Sequence, residues 1–161
     1  MDRDELLALE DDELLRHCRC DTFRASGPGG QHRNTSDSAV RLTLEGTEVT
    51  ALASEERSQH RNRARAVKRL RLQIALNLRC DPAPSWDGPW KPGARDRQYA
   101  PFIAHVLDAL AATEYRVSDA AKLLETSTGR LVRTLASDTT LWARVNHERA
   151  KRDMKPLKMD K

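Results

Sequence analysis

Ser26-Gly27-Pro28-Gly29-Gly30-Gln31-His32-Arg33-Asn34 sets three glycines and a proline side by side at positions 27–30. Glycine tolerates positive φ and close backbone approach, and proline fixes its own φ and stiffens the chain. The stretch therefore offers bare backbone N–H groups rather than a side-chain acid, base or nucleophile. Its chemical use would be to set an N–H against charge that develops in a transition state. A tight surface turn is the plain alternative for the tripeptide alone, and the flanks decide between them.

Upstream, residues 17–25 alternate Cys18, Cys20 and Thr22 against Arg19, Asp21 and Phe23, the period of a strand. Downstream, Thr35-Ser36-Asp37-Ser38 is rich in turn formers. Residues 39–45 then alternate Val40, Leu42 and Leu44 against Arg41 and Thr43. Gly46-Thr47 predicts a hairpin turn into residues 48–53, where Val49, Ala51 and Ala53 alternate with Thr50 and Leu52. Ser54 is placed to cap a helix, with Glu55 and Glu56 in its first turn and an end near Leu78. Val67, Leu70, Ile74 and Leu78 share one face of that helix. Arg57, Arg61, Arg65 and Arg69 recur every four residues as a basic stripe, joined by Arg63, Lys68 and Arg71. Residues 17–79 thus read as an α+β domain, a small antiparallel sheet with a long packing helix.

Charge is unevenly spread. Residues 1–15 sum to −6 and residues 16–80 to +7, the latter from thirteen basic and six acidic side chains. The basic charge follows the glycine stretch and the helix after it, as a polyanion-binding surface does. Like charges four apart on a helix repel by about 0.2–0.5 kcal/mol per pair, and few acids follow Glu56 to relieve this. An RNA backbone would supply the counter-charge, with Arg24, Arg33, Arg57, Arg61, Arg65, Lys68 and Arg69 as contacts.

The outer parts read as follows. Residues 1–16 predict an acidic helical segment, broken around Asp11-Asp12 and packed through its leucines. Residues 80–98 carry Pro82, Pro84, Pro89, Pro92, Gly88 and Gly93 and read as a linker, with Trp86 and Trp90 free to fold back onto a neighbour. Residues 99–150 predict a small all-α region, with caps at Ser118, Ser127 and Asp138. Two of its helices flank Glu125-Thr126-Ser127 in the proportions of a helix-turn-helix, which would turn Thr128, Arg130 and Arg133 toward nucleic acid. Residues 151–161 form a basic tail, expected to be mobile. Three sparse cysteines argue against a disulfide framework and for a reducing cytoplasm, and Cys18 and Cys20 have no second close pair to make a metal site. No apolar run reaches membrane-spanning length, and the acidic start is not a signal peptide.

Two blocks resemble class I peptide chain release factors. Arg24-Ala25-Ser26-Gly27-Pro28-Gly29-Gly30-Gln31-His32, with Asn34 and Asp37-Ser38-Ala39-Val40-Arg41, resembles the family's peptidyl-tRNA hydrolysis loop. Glu56-Arg57-Ser58-Gln59-His60-Arg61-Asn62-Arg63-Ala64 resembles the start of the long helix behind it. The resemblance implies hydrolysis of the ester between nascent peptide and tRNA in the ribosomal peptidyl-transferase centre, with ribosomal RNA and peptidyl-tRNA as partners. Gly29, Gly30 and Gln31 would be the catalytic residues, and Ser26, Gly27, Pro28, His32 and Asn34 would support the loop. No metal or organic cofactor is implied, and a monomer is expected.

Arg33 and Thr35 depart from the family pattern, which has Val and Lys there. The length leaves no room for codon-reading domains, so the nearest precedent is the short relatives that rescue stalled ribosomes. Two alternatives stay open: a ribosome- or RNA-associated factor without catalysis, and a DNA-binding regulator acting through residues 118–136.

Overall fold

The computed structural model describes residues 1–25 and 37–159. The chain divides into two compact units, Met1–Asn77 and Leu78–Lys161.

The first unit is an antiparallel meander with a helix laid across it. Strands β1 (Cys18–Phe23), β2 (Ala39–Leu44) and β3 (Thr50–Ala53) stand in the order β1-β2-β3. Cys20 pairs with Leu42, which in turn pairs with Ala51. In β2 and β3 the period-two reading holds because one face is buried: Val40, Leu42, Leu44, Ala51 and Ala53 are covered while Arg41, Thr50 and Leu52 are exposed. β1 is a strand, but Cys20 and Thr22 are exposed and Asp21 and Phe23 half-buried, so its alternation does not mark a covered face. Gly46 has φ +74, a turn conformation that glycine adopts without steric penalty, and the Leu44 amide donates to the Val49 carbonyl across the hairpin.

Helix α3 (Gln59–Asn77) covers the sheet with Ala66, Val67, Leu70 and Ile74. It begins later than the sequence suggested. Ser58, not Ser54, stands before the first turn, and its hydroxyl accepts from the Arg61 amide. Residues 54–58 are an irregular turn, and Glu55 and Glu56 lie outside the helix.

The acidic segment forms α1 (Arg3–Ala8) and α2 (Asp11–Leu15), and the break falls at Leu9-Glu10. Asp2 and Glu5 close a reciprocal capping box on α1. Both helices lie against α3. Arg71 fastens them: its guanidinium donates to the Leu7 carbonyl at 3.0 Å, the Leu9 carbonyl at 2.6 Å and Asp11 Oδ1 at 2.8 Å. Arg71 is therefore a buried fastener and not part of the basic stripe. It falls four residues after Val67 and three before Ile74, on the covered face.

The second unit is helical: α4 (Tyr99–Ala112), α5 (Val117–Leu123), α6 (Thr128–Ala136) and α7 (Thr139–Ala150). Residues 102–110 of α4 are buried all round, with Phe102, Ile103, Leu107 and Leu110 largest among them. Ser127 and Asp138 cap α6 and α7, accepting from backbone amides of the first turn. Ser118 does not cap α5. That position falls to Arg116, whose side chain makes no cap bond and instead donates to Asp119 at 2.9 Å.

Residues 80–98 hold no helix or strand, yet they pack on this unit. Trp86 stacks on His105, and Trp86 and Trp90 both meet Phe102 edge-on. A side chain at Gly88 would press to 2.7 Å of the Trp86 ring, so glycine is needed at that close approach. The basic tail folds back on α7 through residue 157. Arg149 Nε donates to the Lys155 carbonyl at 3.0 Å, and the Leu157 amide donates to Asn146 Oδ1 at 2.7 Å.

Candidate functional site

Ser26, Gly27, Pro28, Gly29, Gly30, Gln31, His32, Arg33 and Asn34 lie outside the described residues. What the structure describes is the base from which residues 26–36 depart. The β1–β2 ladder ends at the pair Phe23 and Ala39. Just beyond it, Arg24 Nε and Asp37 Oδ1 stand 3.3 Å apart, an exposed ion pair joining the two arms.

The arm leaving at Asp37 is tied to α3 by two side chains one turn apart. Gln59 Nε2 donates to the Asp37 carbonyl at 3.0 Å, and Asn62 Nδ2 donates to the Ser38 carbonyl at 2.6 Å. Asn62 is fully buried and also bridges the backbone of Glu56, donating to its carbonyl at 2.9 Å and accepting from its amide at 3.0 Å. One buried amide thus holds both the turn before α3 and the backbone just ahead of β2. Sequence reasoning passed over it, although a polar residue four before Ala66, on the covered face, was the available signal.

The basic residues divide. Arg61, Arg65, Lys68 and Arg69 lie exposed on α3, and Arg57 is exposed just before it. The stripe has counter-charge of its own. Glu56 stands 2.6 Å from Arg65 and 3.9 Å from Arg61, and Glu55 is in close contact with Arg69. The hydrogen bond from Arg69 holds the Glu55 carboxyl down at about 2, below the usual carboxylate range. The expectation that few acids relieve the stripe is thereby corrected. The two glutamates, displaced from the helix, fold back along it. Arg69 also donates to the Leu52 carbonyl at 2.6 Å, so its fork is shared between β3 and Glu55.

In the second unit, α5 and α6 are joined by a four-residue turn in which Glu125 takes φ +52, the conformation a glycine would favour. Thr128 and Arg133 are exposed on α6. The Arg130 guanidinium lies 5.1 Å from the centre of the Trp90 ring, so it is engaged within the unit.

Cys18 is half-buried, and burial pushes its thiol up to about 11 while its Sγ lies 3.2 Å from the Leu14 carbonyl. Among the described residues no three His, Cys, Asp or Glu side chains gather as a metal site requires. None of the described helices is long and apolar enough to cross a membrane.

Residues 11–83 match the RF-1 domain family. Peptide chain release factor 1 of Rickettsia akari (strain Hartford) is 52% identical over 68 residues, covering 42% of this chain and 18% of that protein. Release factor 1 of Rickettsia rickettsii (strain Sheila Smith) gives the same figures. Peptide chain release factor 2 of Rickettsia africae (strain ESF-5) is 38% identical over 127 residues, covering 74% of this chain and 33% of that protein. The chain therefore spans 18% to 33% of the length of these curated relatives. The three-stranded sheet and long helix belong to an RF-1 domain at residues 11–83, which makes this chain a homologue of peptide chain release factors 1 and 2.

Proposed function

We propose that this chain hydrolyses the ester joining a nascent peptide to tRNA, in the peptidyl-transferase centre of the ribosome, without requiring a stop codon. The observation that carries the proposal is Gly29-Gly30-Gln31 inside an RF-1 match, in the segment that departs from the Phe23–Ala39 end of the β1–β2 ladder. The exposed Arg61, Arg65, Lys68 and Arg69 on α3 support ribosomal RNA as the surface beneath it.

In this reading water attacks the ester carbonyl, and the tRNA ribose oxygen leaves and takes up a proton. The Gln31 main-chain N–H donates to the tetrahedral oxyanion or to the leaving oxygen. Gly29 and Gly30 permit the backbone bend that points it there. The Gln31 side chain shapes the space so that water fits and larger nucleophiles do not. His32 is not needed as a base in this mechanism.

The test is single-turnover release of formyl-methionine from ribosomes carrying initiator tRNA, with the decoding site empty, holding a sense codon or holding a stop codon. Release with the site empty is the expected result. Gly29→Ala or Gln31→Pro should slow it by about 100- to 1,000-fold, as loss of an oxyanion donor does, whereas Gln31→Ala should cost less. Formyl-methionine left attached on ribosomes the protein demonstrably occupies would sink hydrolysis. Release confined to the stop codon would keep hydrolysis and remove codon independence. Sequence-selective DNA binding without release would favour the second unit as the working part.

A further inference from the structure

We infer that Asn62, seconded by Gln59, is a positioning residue for the hydrolytic loop, fixing the backbone of residues 37–38 at its downstream base; this rests on the hydrolase reading above. Three observations carry it. First, Asn62 is 0% exposed, so no bulk solvent replaces it as a partner. Second, its amide is orientation-locked. Both Nδ2 hydrogens go to carbonyls, those of Ser38 and Glu56, and Oδ1 faces the Glu56 N–H. A flipped amide would set oxygen against two carbonyl oxygens. Third, the target is not a point of regular structure. Ser38 is the residue before β2, and Asp37 ahead of it is the first described residue beyond the glycine-rich segment.

The chemistry follows from the geometry. Successive carbonyls, those of Asp37 and Ser38, are each gripped by an α3 side chain, and Gln59 and Asn62 sit three apart on one helical face. With two adjacent peptide planes held, the arm cannot pivot about the bonds between them. Arg24 and Asp37 link this arm to the other. A backbone donor acts only if it is held within about 0.5 Å of its working position, so a free pivot at the base would spread the Gln31 amide over unproductive placements. Asn62 touches no reacting atom in this account. It acts through the backbone it holds.

The substitutions are Asn62→Ala, Asn62→Asp, which keeps the shape but removes both donors, and the exposed Gln59→Ala, which leaves the core untouched. Two measurements are made on the full chain: single-turnover release against protein concentration, and amide hydrogen exchange. The Asn62 variants are expected to lower the saturating release rate about 10- to 100-fold, the scale of a misplaced reacting group, with the half-saturating concentration changed less than about twofold. Gln59→Ala should show a smaller loss of the same kind. Exchange at residues 37–40 should rise while residues 41–44 stay protected.

A wild-type saturating rate in folded Gln59→Ala and Asn62→Asp overturns the inference, and so does a loss confined to half-saturation. If the unmodified protein leaves the ester intact, the hydrolase reading falls on that result alone. Exchange then decides the clamp: faster exchange limited to residues 37–40 upholds it, and unchanged exchange removes it.

Discussion

In the first unit, two buried polar side chains reach across the fold to hold backbone carbonyls; in the second, the buried contacts are chiefly between apolar side chains, and the half-buried Arg149 holds the Tyr115 carbonyl. Arg71 and Asn62 are the buried fasteners of Met1–Asn77, and each grips main chain outside the helices and strands, Arg71 at Leu9 as well as at Leu7 in the last turn of α1, Asn62 at Ser38 and Glu56. In Leu78–Lys161 the corresponding place is taken by Phe102, Leu107, Leu110, Leu131 and Leu135. Its buried carboxylate, Asp108, holds Arg79 and the Cys80 amide at the start of the unit. The difference has a cause. Four helices satisfy most of their own backbone, so their contacts can be apolar. The first unit must hold irregular backbone at residues 9–10, 37–38 and 54–58, and a buried carbonyl there needs a donor from elsewhere.

The comparison breaks most readily at Phe102. It is fully buried and receives the edges of both Trp86 and Trp90, so Phe102→Ala should destabilise the second unit by about 3–5 kcal/mol in urea denaturation. A loss below about 1 kcal/mol would mean that apolar packing is not what holds that unit.

Arg71→Met keeps much of the side-chain stem and removes the fork. It should cost about 1–3 kcal/mol, because the Leu7 and Leu9 carbonyls lose their donor. Amide exchange in residues 3–15 should quicken before that of α3 does. Uniform quickening would show that Arg71 supports the whole sheet rather than the acidic segment.

The smallest effect belongs to the exposed pair of Glu55 and Arg69. The folded carboxyl is lowered from 4.5 to about 2, so its contribution is complete above 4.5 and is lost as pH falls toward 2. The stability of Glu55→Gln should therefore vary less with pH than wild type across that window, and above it should lie below wild type by a constant amount. Both side chains are about half exposed (45% and 46%), and water screens the pair. A Glu55 carboxyl that titrates in the ordinary range by NMR would remove the pairing.

Strand alternation in residues 39–53, the hairpin at Gly46 and the apolar face of α3 at Val67, Leu70 and Ile74 were legible before any coordinates. So was the place of the glycine segment between two strands. Burial of a face is written many times over, once at each repeat, and a single exception does not erase it. Where α3 begins was not legible. Ser54 and Ser58 are equally good caps by residue type, and the choice fell to the turn that Asn62 holds through Glu56. The basic stripe was half legible. Its spacing showed on the page, but its pairing with Glu55 and Glu56 required those residues to leave the helix.

By itself the sequence determined the meander, the covering helix and the position of Gly29-Gly30-Gln31 between β1 and β2. Tertiary structure alone decided that Arg71 fastens the acidic segment, that Asn62 and Gln59 hold the arm beyond the glycines, and that Trp86 and Trp90 bind residues 80–98 to α4. Periodicity is a local property that neighbouring residues share. A hydrogen bond from Asn62 to Ser38 spans 24 residues and one from Arg71 to Leu7 spans 64, and such partners are chosen only when folding brings them within reach.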